Sequence, residues 1–231
     1  TPIRILSSKD RQVVERVFAR RTRRLEGAER TVLPILAAVR REGDTALVRY
    51  ARKWDGFEGK RPSDLRVPAE QIAEAARQVS PAFRRAVREA ARNIRAFCRL
   101  QLPKPWRKNM GSGIRVGQLV RPLGSVGCYI PAGRYPLPST LLMTAIPAQV
   151  AGVARTVVCT PRPVPETLAV AAALGIEEIY AVGGAPAIGA LAFGTKMVAP
   201  VQKIVGPGNA YVAAAKRIVS RDTAVDFVAG P

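Results

Sequence analysis

The 231-residue sequence contains no histidine. Histidine is the commonest general base of enzymes and a common metal ligand, so its absence removes several classes of active site. A serine-hydrolase triad, the zinc-peptidase motif His-Glu-x-x-His and any histidine-based metal site are excluded within these residues. Chemistry that depends on lysine or tyrosine remains open on composition alone.

Cysteine and long apolar runs are scarce as well. Cys98, Cys128 and Cys159 are odd in number, far apart and in no Cys-x-x-Cys arrangement, which indicates buried, reduced thiols rather than a disulfide framework or a sulfur-ligated zinc site. The longest apolar run spans residues 168–176, whereas a membrane-spanning helix needs about 20 residues, and no signal sequence opens the chain. We therefore expect a folded cytoplasmic protein without a membrane partner.

Acidic side chains are few: 17 Asp and Glu stand against 37 Lys and Arg, which gives a formal net charge of +20. Clustered basic side chains bind nucleic acid by releasing counterions from its phosphates, so a nucleic-acid partner has to be considered. The excess is uneven, with a net charge of +15 over residues 1–110 and +5 over residues 111–231. This change predicts a boundary near residue 110.

The first region has the apolar spacing of helices. Apolar residues at positions 32, 33, 36 and 39 share one face of a helix over residues 29–42, and Gly43 is a typical C-terminal glycine. Asp44 is predicted to cap a second helix, which continues to about residue 54 and ends at an Asp-Gly pair. We therefore expect residues 1–110 to form a helical N-terminal region.

A long amphipathic helix is predicted to begin at Ser80 and Pro81, which have the pattern of an N-cap and a first-turn proline. Its inward face is expected to consist of Phe83, Val87, Ala90, Ile94 and Phe97. Its outer face carries five arginines at three- and four-residue steps, namely Arg85, Arg88, Arg92, Arg95 and Arg99. A stripe of this kind is either a surface for an acidic partner or a solvated face. We adopt the solvated face and expect no nucleic-acid partner.

The pattern changes after residue 110, where short β-branched runs alternate with helical stretches rich in Ala and Leu. Such alternation predicts βαβ units and a mainly parallel sheet, hence an α/β fold for residues 111–231. The predicted strands cover residues 114–120, 125–130, 156–160, 178–182, 203–205 and 225–228. Ligands of such sheets bind beyond the carboxyl ends of the strands, so the loops that follow the strands are the first place to look for a site.

Three of these loops are rich in glycine or proline: residues 131–139, 183–186 and 206–209. Ser139 is predicted to cap the helix after the first loop. Glycine lets backbone amides approach a ligand, and a helix start presents unpaired N–H groups to an anion such as pyrophosphate. Neither Gly-x-Gly-x-x-Gly with a downstream acidic residue nor Gly-x-x-x-x-Gly-Lys-Ser/Thr occurs, so any dinucleotide site here is expected to be atypical.

Several long motifs, in the same order along the chain, resemble the histidinol dehydrogenase family. The resemblance covers essentially the whole sequence and is specific because of the length of the motifs. They are REGDTAL at 41–47, WDG at 54–56, RPLGSVGCYIPAG at 121–133, PSTLLMTAIP at 138–147, VAGV at 150–153, GGA at 183–185, ALAFGT at 190–195, KIVGPGNAYV at 203–212, AK at 215–216 and AGP at 229–231.

The resemblance implies an activity and cofactors. Members of the family oxidise L-histidinol to L-histidine in two successive NAD-dependent steps through an aldehyde, at the end of histidine biosynthesis. They are zinc-dependent homodimers with intertwined subunits. Their two central domains look like incomplete dinucleotide-binding folds, so the resemblance implies an incomplete Rossmann-like domain over residues 111–231, with NAD as the cofactor and L-histidinol as the substrate.

The resemblance also assigns cofactor-binding residues. Tyr129 and Asn209 match family positions that contact NAD, and Gly206 and Gly208 complete the predicted cradle. The alternative roles are structural: a half-buried aromatic ring for Tyr129 and a helix cap for Asn209. Pro186 occupies the position of a third family contact, usually glutamine; because proline has no side-chain hydrogen-bonding group, that contact is missing or replaced, or Pro186 simply begins a helix.

Family members are substantially longer than this sequence. After AGP at 229–231 the family pattern continues with Ser-Glu, into a segment that supplies substrate contacts, metal ligands and a Glu-His pair for proton transfer. We therefore expect an N-terminal portion that carries no catalytic or metal-binding residue, binds no zinc by itself and does not turn over histidinol alone. Two alternatives stay open: a paralogous alcohol dehydrogenase such as a sulfopropanediol dehydrogenase, and a nucleotide-binding domain without catalysis.

Overall fold

The computed structural model describes residues 11–132 and 137–227, with the side chains of residues 16–24 left undescribed. A π-helical turn at Ala51–Asp55 extends the second helix, and a short 3-10 helix lies at Pro62–Leu65. The other elements, in chain order, are α1 Arg11–Glu42, α2 Asp44–Tyr50, α3 Ala69–Gln78, α4 Pro81–Gln101, β1 Trp106–Gly111, β2 Ile114–Gln118, β3 Ser125–Tyr129, α5 Pro138–Val150, β4 Arg155–Cys159, α6 Pro165–Ala173, β5 Ile179–Tyr180, α7 Gly184–Phe193, β6 Lys203–Val205, α8 Ala210–Val219 and β7 Ala224–Val225.

Five strands form one parallel sheet in the order β5-β4-β3-β6-β7. β3 is central, and its Cys128 lies opposite Val158 of β4 and Val205 of β6. The chain builds outward from β3 to β5, then returns to the other side of β3 with β6. The predicted α/β fold is confirmed, and this reversal between β3 and β6 is the point at which doubly wound sheets bind ligands.

Each face of the sheet has its own apolar core. Successive strand residues point to opposite faces, so Tyr129 and Val157 join one core while Cys128 and Val158 join the other. Residues of α1, α2, α7 and α8 contribute to the first core, and residues of α3, α4, α5 and α6 contribute to the second. Helices of the first region pack on the helices that flank the sheet: α1 on α7 and α8, α3 on α6, and α4 on α5.

The helical region departs from expectation at Asp44. Gly43, at φ 56°, ends α1 as predicted, but it also serves as the N-cap residue of α2. Only one residue separates the two helices, so the capping position falls to Gly43 and Asp44 becomes the first helical residue. The Asp44 carboxylate instead accepts a hydrogen bond from the backbone N–H of Met197 at 3.4 Å. The predicted end of this segment is confirmed, because Gly56 closes the π-helical turn in the left-handed conformation.

In α4, the predicted N-cap is confirmed, since the Ser80 hydroxyl accepts from the Phe83 N–H at 3.1 Å. The predicted inward position of Phe97 is wrong, because its side chain is 62% exposed. At about 100° per residue, Phe97 lies roughly 80° off the direction of the buried Val87, whereas Cys98, eleven residues after Val87, returns to nearly the same direction and is buried.

The predicted cap at Ser139 is also wrong. Leu137 is the N-cap residue of α5, no side chain caps the helix, and Ser139 lies inside the first turn. Pro138 has a backbone angle already suited to the first helical position, which moves the helix start ahead of Ser139. The loop residues 133–136 lie outside the described residues.

β1 and β2 form an antiparallel hairpin. The sequence predicted a strand from residue 114, which corresponds to β2, but it did not predict β1. The hairpin crosses residue 110, and the division of the chain there stays a prediction. All three cysteines are buried and free, as predicted. Over residues 11–132 and 137–227, no helix has both the length and the apolar character needed to cross a membrane.

Candidate functional site

A cavity of about 480 Å³ opens beyond the carboxyl ends of the sheet strands, at the switch point between β3 and β6. It combines residues that follow β3, β4, β5 and β6 with residues of α1 and of the turn after α2. The lining residues are Thr31, Ile35, Trp54, Asp55, Tyr129, Ala132, Pro161, Arg162, Gly183, Gly184, Ala185, Asn209 and Tyr211.

Two other concave surfaces of similar size lie elsewhere. One, of about 520 Å³, runs along the exposed hairpin of β1 and β2; the other, of about 690 Å³, lies between α1 and α8. Neither contains a residue that directly follows a carboxyl end of β3, β4 or β5. The position of the switch-point cavity in the topology, rather than its size, makes it the candidate site.

Tyr129 is the last residue of β3 and lies at the base of the cavity. Its side chain is only 4% exposed, and its hydroxyl oxygen accepts a hydrogen bond from the Gly184 N–H at 3.1 Å. Burial raises the pKa of Tyr129 to about 12, so the phenol stays protonated near neutral pH. Its O–H can therefore donate to a ligand while its oxygen holds the start of α7.

Asn209 lies across the cavity as the N-cap residue of α8. Its side-chain oxygen accepts from the backbone N–H groups of Tyr211 at 3.0 Å and Val212 at 3.1 Å. The capping role considered from the sequence is confirmed. Because the cap uses the amide oxygen, the amide N–H groups of this exposed side chain remain available to a ligand.

Gly206 brings the loop after β6 against the end of β3. It has φ +117°, and a Cβ at this position would lie 2.2 Å from the Tyr129 carbonyl oxygen. At Gly208 a Cβ would lie 2.3 Å from Cγ1 of Val212. Neither glycine is a lining residue; both allow the close backbone approach that carries Asn209 to the cavity beside Tyr129.

The backbone of Gly206 is held through both its N–H and its carbonyl. Its N–H donates to the Asp226 carboxylate at 2.9 Å, and its carbonyl accepts from Nζ of Lys216 at 3.0 Å. Lys216 and Asp226 also form an ion pair with each other. The Lys216 side chain is 3% exposed, so this clamp lies in the interior. It fixes the loop that presents Asn209.

Pro186 is buried in the first turn of α7 and is not among the lining residues, although Gly183, Gly184 and Ala185 before it are. A first-turn proline leaves no helical hydrogen bond unmade, which supports its helix-starting role. The structure therefore brings Tyr129 and Asn209 together and leaves Pro186 behind the cavity wall.

The two charged lining residues, Asp55 and Arg162, were missed from the sequence. Asp55 lies in the WDG motif at 54–56 but was assigned only to a helix end; its carboxylate accepts from the Gly183 N–H at 2.9 Å. Burial raises the pKa of Asp55 to about 6, while the hydrogen bond from Gly183 and the charge of Arg162 act in the opposite direction. Arg162, in the loop after β4, belongs to none of the motifs that had been singled out.

Zinc has no site among the described residues. Within residues 11–132 and 137–227, no group of three or more Cys, Asp or Glu side chains converges so that it could hold a metal ion. The described residues therefore do not provide the set of ligands that a zinc site needs.

Known proteins resemble this chain in sequence and in fold. The family model of histidinol dehydrogenase matches residues 18–231. The histidinol dehydrogenase of Methanothermobacter thermautotrophicus is 48% identical over 205 residues, which are 87% of this chain and 47% of that protein. The enzyme of Symbiobacterium thermophilum is 47% identical over 217 residues, 92% of this chain and 49% of that protein. The chain therefore spans about half the length of these relatives.

The fold is also that of a solved structure. The crystal structure of histidinol dehydrogenase from Elizabethkingia anophelis superposes with a TM-score of 0.82 at 34% sequence identity. The match covers 100% of this chain and 49% of that chain. The motifs, the sheet order and these relatives lead to one conclusion: the chain belongs to the histidinol dehydrogenase family.

Proposed function

We propose that this chain forms the NAD-binding part of an enzyme that oxidises L-histidinol to L-histidine in two successive NAD-dependent steps. One observation carries the proposal. Tyr129 and Asn209, which match family positions that contact NAD, are 80 residues apart in sequence but line the same cavity at the sheet switch point.

The cavity offers the groups that a dinucleotide requires. The Arg162 guanidinium supplies a positive charge for the pyrophosphate, and the Tyr129 hydroxyl and the Asn209 amide supply hydrogen-bond donors. The aromatic rings of Trp54 and Tyr211 provide flat apolar surface for the bases. The Gly183 and Gly184 N–H groups are already occupied by Asp55 and Tyr129, so side chains rather than the start of α7 make most of these contacts.

NAD, when bound, supplies the hydride acceptor for the oxidation of an alcohol. The residues of this chain bind and orient it, and none of the described residues is assigned the removal of the substrate proton. Because the described residues offer no metal site, no step is derived through zinc. Homodimer formation, a cytoplasmic location and zinc in the complete enzyme accompany the proposal as implications of the family.

Two measurements test the proposal together. Calorimetric titration of NAD into this chain is expected to show one saturable site. NADH formation from L-histidinol with added zinc is expected only from a protein that also supplies a base and metal ligands, so the chain alone and any longer protein that contains it are assayed in parallel. Substituting a sulfopropanediol for L-histidinol in the same assay separates the paralogue. Failure of this chain to bind NAD contradicts the proposal.

A further inference from the structure

Asp55 reaches the carboxyl ends of β4 and β5 from outside the sheet. It ends the π-helical turn after α2, and Oδ2 of its carboxylate accepts from the Gly183 N–H at 2.9 Å. A Cβ built on Gly183 would lie 3.1 Å from Oδ1 of Asp55 and 2.5 Å from Cβ of Pro161. Asp55 is therefore packed against the turns that follow both strands.

The second carboxylate oxygen is unused. Oδ1 of Asp55 makes no hydrogen bond to any described residue, and it remains in contact with solvent. A carboxylate can only accept, so its complement is a ligand that donates, and the sugar hydroxyl groups of a nucleotide are such donors. In many dinucleotide-binding sheets an acidic side chain near the strand ends accepts from the ribose 2′-hydroxyl.

The chain offers no acidic residue directly after β4, where residues 160–162 are Thr-Pro-Arg. The helical region supplies the carboxylate instead. We propose that Asp55 is a cofactor-specificity residue, which accepts a hydrogen bond from a ribose hydroxyl of NAD and disfavours NADP. This inference rests on the proposed function, because it names how the same cavity chooses between the two dinucleotides.

The positive charge of Arg162 opposes the negative charge of Asp55 in the choice between NAD and NADP. It lines the same cavity, and its charge acts on the Asp55 carboxylate. NADP carries an additional phosphate on the ribose, which a carboxylate repels and a guanidinium attracts. With both residues present the repulsion opposes the attraction; without the Asp55 charge, Arg162 is left to favour the phosphate.

The repulsion by Asp55 and the attraction by Arg162 are separated by measuring the dissociation constants of NAD and NADP. Calorimetry measures them, or a competition assay where binding is weak. Asp55→Asn keeps an oxygen to accept from the Gly183 N–H, but it removes the charge and replaces the other oxygen by an amide donor, so we expect the ratio of the two constants to move toward NADP by about tenfold or more. Adding Arg162→Gln to that variant is expected to remove the gain. Glu58→Gln, an exposed neutralisation outside the lining residues, is the matched control and leaves the ratio unchanged.

A ratio within about twofold of the unmodified chain in Asp55→Asn overturns the inference. If that variant does not fold, Arg162→Gln alone decides: Arg162 faces the phosphates of both dinucleotides, so the inference requires a clearly larger loss for NADP than for NAD, and equal losses for both overturn it. Failure of the unmodified chain to bind either dinucleotide instead contradicts the proposed function, and the inference with it.

Discussion

Lys216 and Asp226 hold the backbone of Gly206 between them. Lys216 donates to the carbonyl of Gly206 and Asp226 accepts from its N–H, while the two charged groups pair with each other. The pair joins α8 to the segment after β7 and holds the loop in which Asn209 lies. Stability and the shape of the cavity are therefore coupled through this clamp.

Replacing Lys216 by Ala is expected to destabilise the protein by about 3–5 kcal/mol, because the largely buried Asp226 carboxylate and the Gly206 carbonyl both lose their partner. Chemical denaturation measures the loss. Arg77→Ala is the control, since Arg77 pairs with Glu74 while the two side chains are 70% and 49% exposed, and exposed pairs contribute about 1 kcal/mol or less. Equal losses of unfolding free energy in the two variants would contradict the stabilising role of the pair between Lys216 and Asp226.

Gly206→Ala is expected to cost about 2–4 kcal/mol, since φ +117° is unfavourable for any side chain and the new Cβ would collide with the Tyr129 carbonyl. The comparison is Gly27→Ala, inside α1, where a Cβ meets nothing within 4 Å. That variant should gain about 0.5–1 kcal/mol from helix propensity. Opposite signs in thermal melting confirm the distinction, and a neutral Gly206→Ala contradicts it.

Asp55→Asn is expected to stabilise the protein at pH 8. The pKa of Asp55 is raised to about 6 in the folded state from an ordinary 3.8, so its contribution to stability is fully present below pH 3.8 and is lost as the pH rises through 6. The asparagine carries no such penalty. The half-buried carboxyl is screened by solvent, which limits the gain to about 1 kcal/mol.

Thermal melting of both proteins between pH 8 and pH 5 measures this effect. The difference in melting temperature between Asp55→Asn and the unmodified chain should shrink as the pH falls. A difference that stays constant over this range means that Asp55 titrates normally. A gain in stability together with a loss of cofactor selectivity would show that the Asp55 carboxylate serves binding rather than folding.

Local patterns predicted the parts of the fold that local chemistry determines. The β-branched run at Lys203–Val205 is a strand with those bounds, and Ser80 caps α4 because a hydroxyl before proline satisfies an orphan N–H. The loops that follow the predicted parallel strands indicated where a cavity would lie, since parallel strands bring their carboxyl ends to one edge of the sheet. β1 escaped prediction because Trp106–Gly111 is polar and basic and pairs only with β2.

The composition of the cavity depends on contacts that no local pattern contains. Asp55 meets Gly183 across 128 positions, through the packing of α1 and α2 on α7. An Asp-Gly pair is typical of a helix end, and this pair does end a helix. The local pattern therefore did not indicate that Asp55 also contacts Gly183. Pro186 shows the converse: a motif placed it at the site, while a buried first-turn position explains it without a ligand.

Two substitutions of Asn209 separate its proposed contact with NAD from its structural role as a helix cap. Asn209→Asp keeps an oxygen to accept from Tyr211 and Val212, so stability should change little, but it removes the amide donors and adds a negative charge. Asn209→Ala loses the cap as well and should cost about 1 kcal/mol. Thermal melting of the two variants establishes that the aspartate preserves the fold.

The most direct test is calorimetric titration of NAD into this chain and into its Asn209→Asp variant under the same conditions. The proposed site predicts one saturable NAD site in the unmodified chain and binding weaker by about tenfold or more in the equally folded variant. No saturable binding to the unmodified chain, or equal affinity in both proteins, would contradict the assignment of the switch-point cavity as the NAD site.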